Sequence, residues 1–216
     1  MKKLILAAAI ITTITGNGMA QENKTDFRDK LTFGLKAGAN YSNVYDAQGE
    51  EFRANAKFGG VAGAFLAIPI GKYIGIQPEI LYSQKGFQAT GRILDGTYNF
   101  TRTSSYLDVP LLFVLKPSEF LSVVGGPQYS YLVRQRDVFA NATTSIAQET
   151  EFVNENVRKN TLSLVIGSDI NLKHIVIGVR ANWDVIRNNG DGTSTTPRYK
   201  NVWYQVTIGY RFYRNN

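Results

Sequence analysis

Along most of the chain apolar side chains fall on every second residue, and the alternating runs are separated by short polar or glycine-containing segments. Alternation of this period belongs to β-strands, whose successive side chains point to opposite faces, and helical spacing is scarce. Eight strands are predicted: Leu31 to Ser42, Phe58 to Ile70, Tyr73 to Phe87, Ser105 to Lys116, Phe120 to Arg134, Asn160 to Asn171, Ile175 to Ile186, and Asn201 to Phe212. Their connections alternate in length. Gly71 to Lys72, Pro117 to Glu119 and Leu172 to His174 are tight, whereas Asn43 to Lys57, Gln88 to Ser104, Gln135 to Lys159 and Arg187 to Lys200 are long and polar. An even number of antiparallel strands joined in this way predicts an all-β, up-and-down transmembrane barrel with short periplasmic turns and long extracellular loops.

A soluble eight-stranded barrel shares that topology and differs in which face is wet. In "IQPEILYSQKGF", Ile76, Pro78, Ile80 and Tyr82 fall on one side, and Gln77, Glu79, Leu81, Ser83 and Lys85 on the other. Strand one separates Phe33, Leu35, Ala37, Ala39 and Tyr41 from Thr32, Gly34, Lys36, Gly38 and Asn40. The last strand separates Val202, Tyr204, Val206, Ile208, Tyr210 and Phe212 from Trp203, Gln205, Thr207, Gly209 and Arg211. The second face mixes glycine, small polar groups and single charges, too glycine-rich for a solvated exterior. It suits the narrow interior of an eight-stranded barrel, which side chains fill. The apolar face therefore meets lipid.

Aromatic placement agrees. Tyr41, Tyr82, Tyr131, Trp183 and Tyr204 fall on the apolar face near the long loops, and Tyr73, Tyr210 and Phe212 near the tight turns, as two interfacial belts require. Pro78, Pro110 and Pro127 interrupt predicted strands, where each removes a ladder donor. Local bulges at these prolines are expected, with a wall that opens for a partner as the alternative.

The chain begins with Lys2 and Lys3, an apolar run "LILAAAIITTIT" and small residues Gly18 and Ala20, the pattern of an export signal ending at Ala20. That run is too short to span a bilayer as a helix. The predicted organisation is a signal peptide, 1–20, followed by one barrel domain, 21–216. Without Lys2 and Lys3, 22 of the 24 basic residues remain against 17 acidic ones, a modest excess spread along the chain that gives no sign of nucleic-acid binding. The absence of cysteine excludes disulfide scaffolds, thiolate metal sites and thiol catalysis.

The segments "FGLKAGANYSN", "IQPEILYSQKG", "YLDVPLLF", "GGPQYSYL" and "IGYRF" together resemble the outer-membrane β-barrel family of Bacteroidota, whose members are described as porin-like or PorT-like. The resemblance covers essentially the whole mature chain and includes the prolines. It implies a barrel in the cell outer membrane, and its best-known relative implies an accessory role in a secretion machinery. The chain departs from barrels that end on an aromatic residue, since "YRNN" follows Phe212.

Lys36, Glu79, Lys85, Asp108, Lys116, Asp169, Arg180, Asp184 and Arg211 alternate onto the interior face. Charges in a confined space are costly unless paired, so a salt-bridged plug is expected, with an ion or proton pathway as the alternative. His174 lies in a tight turn and reads as solvated. "NNGDGT", Asn188 to Thr193, lacks the alternating acids of a calcium loop. Neither catalytic residues, metal ligands nor a cofactor site are expected. Lys57, Arg134, Arg158 and Lys200 stand nearest the rim, placed to pair with phosphates of outer-leaflet glycolipid. A non-enzymatic surface or accessory protein binding a protein partner through Gln135 to Lys159 is the functional expectation, against a small-solute porin or a barrel enzyme.

Overall fold

The computed structural model describes residues 28–45, 53–93, 96–141, 145–150, 158–189 and 199–212. Nine strands occur among them: β1 (Thr32–Tyr45), β2 (Arg53–Pro69), β3 (Ile74–Ile93), β4 (Gly96–Leu115), β5 (Leu121–Asn141), β6 (Ser145–Thr150), β7 (Asn160–Leu172), β8 (Ile175–Asp184) and β9 (Lys200–Phe212). All pairings are antiparallel, running β4-β3-β2-β1-β9-β8-β7-β5 and closing through β4 to β5. Eight strands thus form the closed barrel. The short β6 pairs with β5 residues Gln135 to Ala140, above the ring.

The alternation read from the sequence becomes an inside-out protein. In β9 the burial pattern alternates at almost every step, with Gln205 and Thr207 buried while Tyr204, Val206 and Ile208 are exposed. Buried positions include Lys36, Glu79, Lys85, Asp108, Asp169, Arg180 and Asp184, while Phe58 and Phe113 lie open on the outer wall. Such a distribution is stable only where the outer wall meets an apolar solvent and the ring leaves no backbone edge unpaired.

Glycines permit the close approach of neighbouring strands. A Cβ on Gly38 would stand 1.9 Å from the Val206 carbonyl oxygen, and one on Gly63 2.0 Å from that of Ile80. The two-residue turn between β7 and β8 uses Lys173 at φ 48°, the left-handed conformation that tight hairpins demand.

Two expectations change. Three of the four long polar connections are in part strands: β3 continues to Ile93, β4 begins at Gly96, β5 reaches Asn141, and β2 begins at Arg53. Beyond the aromatic belt the polar residues of these segments break the clean period-two alternation, although the ladder persists. The prolines, in turn, carry no bulges. Register is unchanged across Pro78, Pro110 and Pro127, and shifts instead between Ala56 and Val61 and between Ser105 and Tyr106. A proline's missing N–H faces only one neighbour, so the ladder on its other side runs on and holds the register. The second shift leaves both Val133 and Arg134 exposed on the outer face of β5. The proposed signal peptide, residues 190–198 and residues 213–216 lie outside the described residues.

Candidate functional site

Inward parity on four strands brings together the first charge group. Lys36 of β1 donates to Glu79 of β3. Arg180 of β8 places Nη1 2.9 Å from each Glu79 oxygen and Nη2 3.4 Å from both oxygens of Asp169 on β7. Gln77 adds a bond of 2.8 Å to Glu79 Oε1. Two cations and two anions thus cancel within one buried layer, the condition under which interior charges are tolerated.

Closer to the long-loop end, Lys85 donates to Asp108 at 3.0 Å and to the Ser130 hydroxyl at 3.4 Å. Its ammonium also lies 3.8 Å from the centre of the Trp203 ring and 4.6 Å from that of Tyr106, so a cation is held by a carboxylate and two π-faces. Asp184 accepts from Ser163 at 2.6 Å and from the Asn201 side chain at 2.6 Å. Asn40 links the layers, donating to Ser83 at 2.9 Å and accepting from Gln205 at 3.0 Å.

Two more predicted interior charges belong to the short-turn end of the barrel. Arg211 bonds Asn171 at 2.6 Å near the short turns, and Lys116 donates to the Arg28 carbonyl at 2.5 Å. His174, read as solvated, is half-buried and stacks on Tyr210 with ring centres 5.2 Å apart.

The long-loop end is packed with apolar side chains. Val44, Phe87, Ala89 and Tyr199 form a buried cluster, with Phe100 against it. Beside it Arg102 makes a bidentate pair with Asp137 at 2.8 and 2.7 Å and donates to the Tyr199 hydroxyl at 2.6 Å. Burial acts to lower the Arg102 pKa, but Tyr199 and Asp137 outweigh it and raise the guanidinium above its ordinary value. Tyr199 and Trp203 were not among the expected site residues. Inward parity marks Trp203, whereas Tyr199 precedes β9 and carries no periodic signal.

On the outer wall, Tyr41, Tyr82 and Tyr204 are exposed at the long-loop end, and Tyr131 and Trp183 are half-covered. Tyr73, Tyr210 and Phe212 are exposed at the other end. Lys57, Arg134, Arg158 and Lys200 are distributed round the rim on or beside β2, β5, β7 and β9. Arg158 donates to the Arg187 carbonyl at 3.1 Å, and Lys200 lies over the Tyr45 ring.

The model of the outer membrane protein beta-barrel domain matches residues 19–186 of this chain. The chain belongs to that family. This outer-membrane barrel is similar in fold to several solved ones. Ail of Yersinia pestis, the attachment invasion locus protein, is 15% identical, with 84% of this chain and 98% of that chain covered and a TM-score of 0.45. Neisserial surface protein A is 8% identical, with 83% and 97% covered and a TM-score of 0.49. OprG from Pseudomonas aeruginosa is 16% identical, with 85% and 95% covered and a TM-score of 0.38. No curated protein matches the barrel.

Proposed function

We propose that the chain is a non-enzymatic surface or accessory protein that binds a partner through the extracellular ends of β3, β4, β5 and β6. One observation carries this reading: Lys36, Glu79, Arg180 and Asp169, and separately Lys85 and Asp108, are paired inside the barrel, and a buried cluster with Phe87 and Tyr199 packs at the mouth. An interior so filled is a strut, and the surface left for recognition is the extended set of hairpins. The resemblance to porin-like and PorT-like barrels supports an accessory role. The rim cations Lys57, Arg134, Arg158 and Lys200 contact phosphates of outer-leaflet glycolipid and set the height of those hairpins above the membrane.

Two measurements on the mature protein test the proposal. In planar bilayers it conducts no ions, and crosslinking in whole cells from positions on β5 and β6 captures a defined protein. Steady conductance that falls with Glu79→Gln would replace the proposal with the porin reading. Replacing the four rim cations by glutamine lowers barrel stability in glycolipid bilayers more than in phosphatidylcholine, and an equal effect in both removes the glycolipid contact.

A further inference from the structure

The three prolines do not interrupt the wall at random. Pro78 lies four residues from the short-turn end of β3, Pro110 five from that of β4, and Pro127 six from that of β5, so all three stand at nearly one height. Each is paired on the side of the following strand: Pro78 with Leu111, Pro110 with Gln128, Pro127 with Leu164. Each ladder toward the preceding strand has a gap at the proline. Between β2 and β3 pairing stops at Phe65 with Glu79 and resumes at Ile68 with Ile76. Between β3 and β4 it stops at Pro78 with Leu111 and resumes at Leu81 with Asp108. Between β4 and β5 it stops at Pro110 with Gln128 and resumes at Phe113 with Gly125.

The gaps are adjacent and form one line across four strands. At its β5 end the backbones crowd together, since a Cβ on Gly126 would lie 2.2 Å from the Leu111 carbonyl oxygen. Behind the line, the side chain that follows Pro78 is Glu79, the residue held by Lys36 from β1 and by Arg180 from the opposite wall. A backbone donor missing from a membrane wall has no water to replace it, so a side-chain tie at this place has a specific task.

We propose that the β2 to β5 wall contains a lateral seam at Pro78, Pro110 and Pro127, which parts before any other ladder of the barrel and is held shut from inside by Glu79. The pairs to Lys36 and Arg180 pull β3 inward against the rest of the ring. Losing them leaves the seam with only the backbone bonds that flank the prolines. The device is a closed wall section whose opening depends on one carboxylate.

Amide hydrogen exchange of the mature protein in lipid nanodiscs tests this. In the wild type, the amides of Leu66, Glu79 and Leu111, which stand opposite the three prolines across the gaps, exchange about tenfold faster than those of Lys36, Arg180 and Gln205, about the effect of one missing hydrogen bond. Glu79→Gln speeds exchange on β3 to β5 and leaves β9 unchanged. Pro127→Val, which restores a donor at an exposed outer position, slows exchange at Leu111, the residue opposite it across the gap. Equal protection of both walls overturns the proposal, as does a Glu79→Gln effect spread evenly round the ring. If Glu79→Gln does not insert, the Pro127→Val comparison decides alone, and no slowing there refutes the seam.

Discussion

The wall from β7 through β8 and β9 to β1, and the wall from β2 to β5, share one alternating pattern and are held together differently. In the first, pairing runs without a gap, from Phe33 with Phe212 to Tyr45 with Lys200 between β1 and β9, and from Ser163 with Asp184 to Leu172 with Ile175 between β7 and β8. In the second, three successive ladders lose pairs at the prolines. Side chains add ties from inside this wall, from β3 to β1 and β8 and between the paired stretches of β3, β4 and β5. Glu79 is tied to Lys36 and Arg180, and Lys85 to Asp108 and Ser130, so the interior charges concentrate on the interrupted wall or aim at it. Charges that the sequence presents as a plug thus act as braces for a wall with missing donors.

The largest test removes a brace. Glu79→Ala leaves Lys36 and Arg180 buried without their shared carboxylate, and breaking a buried pair in this way costs about 3–5 kcal/mol. Urea unfolding in lipid should show a loss of that size. A loss below about 1 kcal/mol, the level of an exposed pair, would mean that the network braces nothing.

A second test asks what the continuous wall depends on. Between β1 and β9 the strands approach so closely that a Cβ on Gly38 meets Val206 backbone at 1.9 Å, whereas one on Gly60, on the neighbouring β2, has only the flexible end of Gln84 at 4.0 Å. Gly38→Ala should therefore cost about 1–3 kcal/mol as an overpacking strain, and Gly60→Ala close to nothing in the same unfolding assay. Equal effects would show that ladder spacing is not what holds this wall.

How far the sequence discloses these differences depends on the solvent around each residue. Within the bilayer the two faces meet opposite environments, and Lys36, Glu79, Asp169 and Arg180 could be placed inward by parity alone. Above it no apolar solvent demands an apolar outer face, so the outer parts of β3, β4 and β5 carry polar residues on both sides in sequence and read as loops. Parity also fails at the register shift beside Ser105, where one extra residue turns Arg134 outward. The prolines were visible, but their alignment was not, because it depends on how the strands stagger against one another. Tyr199 lies beyond any pattern, since its position follows from where the chain enters β9.

That tyrosine supplies the smallest test, at the place where the two walls meet again. Arg102 and Asp137 are a direct cross-strand pair on β4 and β5, and Tyr199 leads into β9 on the other side of the mouth. Its hydroxyl accepts from Arg102 at 2.6 Å, while its ring stays packed on Phe87 with centres 5.2 Å apart. Tyr199→Phe keeps the ring and removes the oxygen, and the bidentate tie to Asp137 still satisfies most of the guanidinium. The expected loss is about 1 kcal/mol, that of one net hydrogen bond. Because the bond spans the mouth, Tyr199→Phe should quicken amide exchange at Arg102 and Thr103 on one side and Asn201 on the other. Exchange confined to the β9 side would show that the aromatic packing, and not the Arg102 hydrogen bond, joins the two walls.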